Sequence, residues 1–194
     1  MAWFNASGIA VIVVACAIPA CSNRDSLVPA RDLIAGFNQA DRRPSSAVFE
    51  VTEVTIAGVP QRAIATEPVS RVTWLVAIPD RAVVKTALAL KPEAWAQEGN
   101  GVLFRIGISE GRSYEELLTR YVDPFHRPAD RGWIPVTVDL AAYGGFKWSL
   151  FYQPRYRTWK LIFNTNAGPP GTDGRFAGLP LWGEPMIYRY DSRP

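Results

Sequence analysis

Residues 48–78 read VFEVTEVTIAGVPQRAIATEPVSRVTWLVAI, and this stretch decides the fold class. Val, Ile and Thr dominate it, residues whose branched Cβ suits a pleated strand and is stiff in a helix. Its pattern recurs with a period close to two, and turn residues divide it: Ala57-Gly58-Val59-Pro60 first, then Glu67-Pro68. Three strands are predicted, at 48–56, 61–66 and 70–78.

The same grammar continues downstream. Strands are expected at 83–90, 102–107, 134–139, 146–151, 158–164 and 186–190, with Gly, Pro or Asn between nearly all of them. Strands so closely spaced, without long helices between them, predict an all-β protein: an antiparallel jelly-roll β-sandwich. Residues 113–121 read two ways. Glu115-Glu116-Leu117-Leu118 favours a helix, whereas Tyr114 and Tyr121 suit an edge strand.

Upstream, residues 21–47 read as a tether with a short helical turn. Leu33, Ile34 and Phe37 share one helical face, and Pro44-Ser45-Ser46 ends the segment. Residues 1–20 carry no charged side chain. The small apolar run from Gly8 to Ala20 is shorter than the roughly 20 residues a bilayer span needs, and suits the core of a secretory signal. Ile18-Pro19-Ala20-Cys21 resembles a bacterial lipoprotein lipobox, which implies cleavage before Cys21 and its lipidation, palmitate included. An uncleaved anchor, helped by Trp3 and Phe4, and an ordinary signal peptide are the other readings of the same residues.

Composition narrows the function. Lys and Arg number 21 against 18 Asp and Glu, a net charge of +3, with no dense basic block. That argues against a dedicated nucleic-acid binder. The 48% hydrophobic content can close one core and argues against disorder. The two cysteines, Cys16 and Cys21, both lie in the leader, so the domain is expected to have neither an internal disulfide nor a thiolate metal site.

Three motifs carry a family resemblance. Trp133-Ile134-Pro135-Val136-Thr137-Val138-Asp139-Leu140-Ala141-Ala142-Tyr143-Gly144-Gly145 fits W-x-x-x-x-V-D-L-x-x-Y-x-G. Leu161-Ile162-Phe163-Asn164-Thr165 fits L-x-F-x-T, and Trp182-Gly183-Glu184-Pro185-Met186-Ile187 fits W-x-x-P-x-I. Together with the strand series, residues 48–192 resemble a galactose-binding-domain-like jelly roll of the bacterial envelope type. The resemblance implies that fold and leaves function open, because the fold hosts sugar binders, interaction modules and structural appendages. The chain departs from the pattern at residues 146–157, an aromatic and basic insertion before the L-x-F-x-T strand.

That insertion supplies the candidate ligand-binding residues: Lys147, Trp148, Tyr152, Arg155 and Tyr156. Aromatic faces stack on sugar rings and basic side chains bind hydroxyls, but the same residues suit a protein interface, anionic lipid headgroups or an extra hairpin packed on the sheet. Trp133 and Trp182 are expected in the core or packed on a sheet, and Tyr143 against its turn. Gly107-Ile108-Ser109-Glu110-Gly111 matches the G-x-S-x-G nucleophile elbow, yet the single histidine, His126, and the missing β/α series leave a turn as the reading. No cofactor is expected and no metal ligand set is assigned. An oxygen-only calcium site stays open at Asp123, Asp130, Asp173 and Glu184, without a ligand spacing to recommend it. Gly168-Pro169-Pro170-Gly171 is read as a loop.

The expectation is therefore a leader (1–20), a tether (21–47) and one sandwich domain (48–194). Its expected role is that of a non-catalytic lipoprotein of the bacterial cell envelope, membrane-held through Cys21 and binding a glycan through rim loops. The alternative is a structural accessory docking an envelope protein. A serine hydrolase through Ser109 is the remote third.

Overall fold

The computed structural model describes residues 26–145, 157–168 and 179–191. It is a sandwich of two antiparallel sheets. Eleven strands follow in order: β1 (Ser26–Asp32), β2 (Asp41–Arg43), β3 (Phe49–Ile56), β4 (Val59–Thr66), β5 (Ser70–Ala77), β6 (Ala82–Leu90), β7 (Val102–Ser109), β8 (Tyr114–Val122), β9 (Ile134–Asp139), β10 (Thr158–Ala167) and β11 (Pro180–Asp191). Helical structure among the described residues is confined to short 3-10 turns. The expected all-β sandwich is what the chain forms.

One sheet runs β3-β4-β11-β6-β9, and β1 adds to β11; the other runs β2-β5-β10-β7-β8. The two-residue turn at Ala57-Gly58 closes the β3–β4 hairpin, pairing Ile56 with Val59. The stretch left between helix and strand is β8, on the edge beside β7. The edge-strand reading of Tyr114 and Tyr121 holds: residues 114–122 pair with β7 along its length, with one bulge opposite Ile106/Gly107, and Leu117 and Leu118 both pack against the core beside it.

The core lies between the sheets. Trp74, Trp182, Phe104 and Phe163 are its largest fully buried side chains. Phe104 meets Trp182 edge-on with ring centres 4.9 Å apart, and Phe163 sits 4.5 Å from Trp182 and 5.1 Å from Trp74. Leu161 and Phe163 of the L-x-F-x-T strand point inward, as does Thr165, whose hydroxyl lies 2.8 Å from that of buried Ser70. The Y-x-G turn also has a physical basis. Gly145 is left-handed (φ 88°), and a Cβ there would fall 2.4 Å from an Asp80 carboxylate oxygen. Trp133 takes the sheet-packing alternative. It lies outside the main core, covering Gly183 and donating Nε1–H to Val59 O at 2.9 Å, beside a second apolar cluster of Ile56, Ala63, Ala65, Ala89 and Leu181.

The segment read as a tether is corrected from Ser26 onward, because it is built into the sandwich. β4 pairs with β11 only over Leu181–Gly183, and β1 takes the same edge from Met186 to Asp191. Pro29 and the non-alternating burial of β1 hid this strand; an edge place with a bulge at Pro29/Arg31 tolerates both. Leu33, Ile34 and Phe37 do share a buried side, on a turn that runs into a short 3-10 helix at Phe37–Gln39. Asp32 Oδ1 accepts the N–H groups of Ile34 and Ala35, its other oxygen takes Arg62, and Leu33 O accepts the indole N–H of Trp74.

A chain beginning at Val48 is therefore expected to lose cooperative unfolding, whereas one beginning at Ser22 keeps it. Burial of Leu33 and Phe37 alone is worth about 1.5–3 kcal/mol each, against roughly 5–15 kcal/mol of total stability in a typical domain. Thermal unfolding of the two chains by circular dichroism checks this. Equal melting would return residues 26–43 to the role of a passive tether. The expected leader, with Cys21, and the expected strand at 146–151 lie outside the described residues.

Candidate functional site

Alternation in β5 buries Ser70, Val72, Trp74 and Val76 and turns Arg71, Thr73 and Leu75 outward. The registers of the five-stranded sheet then arrange its outer face in rows. Arg43, Arg71, Asn164, Arg105 and Thr119 form one row; Asp41, Thr73, Ile162, Gly107 and Glu116 form the next; Leu75, Lys160, Ser109 and Tyr114 form the third.

Two depressions follow this face. One, of about 480 Å³, lies among Thr73, Leu75, Ser109, Tyr114, Lys160 and Ile162. The other, of about 700 Å³, is lined by residues that include Val69, Asn164 and Asn166. Asp41, Arg43 and Arg71 line both. The line from Lys160 to Asn166 along β10 is seven residues, roughly 20 Å at the rise of a strand.

Tyr114 is the aromatic of this groove. Its ring lies directly on Gly107, where a Cβ would come 2.4 Å from Cε2, so only glycine admits it. Its hydroxyl engages the Asn164 side chain, and burial, followed by the charge of Glu116, raises its pKa. Tyr114 nevertheless stays 48% exposed, which leaves an aromatic surface open beside Ile162 and Leu75. Flat apolar surface flanked by amide, hydroxyl and cationic donors can bind a polar ring from its C–H face and its edge.

The expected site residues Lys147, Trp148, Tyr152, Arg155 and Tyr156 lie outside the described residues. The segment reappears at Arg157, which pairs with Glu110 in the β7–β8 turn and lies 4.4 Å over the Trp159 ring. It thus enters β10 three residues before Lys160. Tyr143 packs as expected against its neighbourhood: its ring meets Trp159 edge-on at 5.2 Å, and its backbone carbonyl accepts the indole N–H of that residue. Burial and a hydrogen bond to Glu115 push the Tyr143 hydroxyl up to about 12.

Ser109 sits in a turn. Its hydroxyl donates to Ser113 O at 2.5 Å and accepts the Gly111 N–H at 3.0 Å. It pairs with Tyr114 at one end of the β7–β8 ladder, while His126 follows Val122 at the other, about 20 Å away along the strands. A Ser109–His126 catalytic pair is thereby excluded.

Of the four residues considered for calcium, Asp123 and Asp130 make hydrogen bonds and ion pairs within the protein. The buried Asp123 carboxylate accepts Tyr121 Oη at 3.0 Å and the His126 N–H at 3.3 Å, and lies 2.9 Å from the His126 ring. Buried Asp130 accepts the Asp123 N–H at 2.9 Å and faces Arg120. Asp173 lies outside the described residues, and among these no group of three or more His, Cys, Asp or Glu could hold a metal ion.

Burial raises the pKa of both Asp123 and Asp32, but their hydrogen bonds and the adjacent His126 or Arg62 outweigh it, and both end below the ordinary value of 3.8. A depressed carboxylate stabilises the fold above its unfolded pKa and ceases to do so as pH falls through the folded value. Melting temperature is thus expected to fall steeply below about pH 4, with a shallower fall in Asp123→Asn. An unchanged acid profile in that variant would contradict the role given to Asp123.

No protein-family model matches the chain. An uncharacterised protein of Archaeoglobus fulgidus is 35% identical over 111 residues, 57% of this chain and 25% of that one. The chain thus spans about a quarter of the length of the curated relative it matches. Among solved structures, the fold is similar to the CBM51-2 and INT domains of Clostridium perfringens ZmpB, with a TM-score of 0.51 and 10% identity over 78% of this chain and 30% of that chain. It is also similar to TmCBM61, solved in complex with β-1,4-galactotriose, with a TM-score of 0.50 and 11% identity over 81% of this chain and 94% of that one. These likenesses establish the β-sandwich fold of carbohydrate-binding modules.

Proposed function

We propose that the protein is a non-catalytic glycan-binding module whose ligand lies along the outer face of the five-stranded sheet. The observation that carries this reading is Tyr114, half exposed on Gly107 in the middle of a groove lined by Asn164, Lys160 and Arg71. A groove roughly 20 Å long, open along the strands, suits several sugar rings of one chain rather than a single terminal sugar. The fold likeness to carbohydrate-binding modules supports the same reading.

The proposed binding set also includes Lys147, Trp148, Tyr152, Arg155 and Tyr156 of the insertion that precedes β10 in the chain. A lipid on Cys21 holds the module at a membrane of the bacterial cell envelope, where it keeps a polysaccharide close to the surface.

Electrophoresis through gels containing a panel of plant, algal and bacterial polysaccharides tests the first part. At least one gel is expected to retard the protein, and mobility identical in all of them would overturn the reading. For the anchor, the expected result is incorporation of a palmitate analogue that Cys21→Ala abolishes. Incorporation independent of Cys21, or none, would remove that part of the proposal.

A further inference from the structure

The row Arg43–Arg71–Asn164–Arg105 places three guanidinium side chains on one strip of sheet. Cross-strand neighbours of like charge destabilise a sheet unless something offsets them. Two of the three have a carboxylate. Arg43 pairs with Asp41 at 3.1 Å, and Arg105 lies 3.5 Å from Glu116. The buried Nε of Arg105 still makes no hydrogen bond.

Arg71 differs from both. It is exposed, directly opposite Arg43, and lines both depressions, but its side chain enters none of the ion pairs or hydrogen bonds among the described residues. Lys160, on the same face, is likewise unpaired among them. Asp41 is the single acidic residue lining the two depressions, against Arg42, Arg43, Arg71 and Lys160. The groove therefore carries uncompensated positive charge at Arg71, beside Asn164, and at Lys160.

We propose that the glycan bound here is acidic: a polysaccharide bearing carboxylates, that is, one built from uronic acids. Arg71 grips a sugar carboxylate through its planar fork, and Lys160 neutralises a second one further along the strand. Tyr114 takes the ring between them. The inference rests on the glycan-binding reading above and specifies its substrate class.

The test compares retardation by polygalacturonate, alginate and hyaluronan with that by carboxyl-reduced samples of the same polymers. At least one acidic form is expected to retard the full chain, with binding weakened roughly tenfold or more by carboxyl reduction and by Arg71→Ala, and also weakened by added salt. Arg71→Lys is expected to fall between. Both variants should melt with the wild type, because Arg71 faces solvent.

Equal binding of reduced and acidic forms, or of a neutral polysaccharide instead, would overturn this inference and leave the glycan reading standing. Mobility unaffected by any polysaccharide would remove both. Single-stranded DNA retarding the protein as strongly as the best polyuronate would overturn the inference in favour of unspecific polyanion binding.

Discussion

Trp182→Ala is expected to leave the protein largely unfolded at physiological temperature. Trp182 is 1% exposed and joins the two sheets, with Phe104 edge-on at 4.9 Å and Phe163 tilted at 4.5 Å. Truncating a fully buried tryptophan removes its transfer free energy and leaves a cavity that neighbouring rings cannot fill, a loss of about 3–5 kcal/mol. Both aromatic pairs vanish with it, each worth roughly 0.5–1.5 kcal/mol beyond area burial. Against a typical domain stability of about 5–15 kcal/mol, this is a large fraction. Denaturant titration should show the midpoint falling with little change in slope. Trp182→Phe, which refills much of the volume, should recover part of the loss. A midpoint within error of the wild type would show that Trp182 does not hold the sheets together.

Tyr114→Ala is expected to abolish measurable retention by whichever polysaccharide binds the wild type, at least a tenfold loss, while leaving the melting temperature nearly unchanged. Aromatic anchors at the centre of a contact commonly carry about 2 kcal/mol or more of binding energy. The side chain is half exposed on an edge strand, and the glycine beneath it supplies no packing that its loss would collapse. Gly107→Val is the converse variant. Tyr114 is retained, but its ring is driven off the sheet, so binding should fall as it does in Tyr114→Ala. Retention of full binding by both variants would remove the outer face of this sheet as the site.

Most of the strand plan is legible in the sequence, because β3, β5 and β7 alternate or carry β-branched runs between clear turns. β1 is not, since a Pro-containing edge strand without alternation is indistinguishable from a linker until its partner is known. Nothing local in Ser26–Asp32 announces β11, more than 150 residues away. The groove was hidden for a related reason. Tyr114, Gly107, Asn164 and Arg71 come from four strands, and only the registers of β5, β10, β7 and β8 bring them to one face. The sequence signal for it is Tyr114, at the start of a stretch readable as an edge strand and shortly after the Gly107–Gly111 turn. The aromatic cluster at 146–156 lies outside the described residues, which place an exposed aromatic, Tyr114, on the sheet face itself.

The most direct test of the account is residue-resolved NMR of the 15N-labelled protein, titrated with oligosaccharides cut from the polysaccharide that retards it. The account predicts that amide shifts concentrate along one face, at Arg71, Thr73, Tyr114, Lys160, Ile162 and Asn164. Shifts confined to the outer face of the other sheet, around Trp133 and Gly183, or no shifts at saturating sugar, would contradict it.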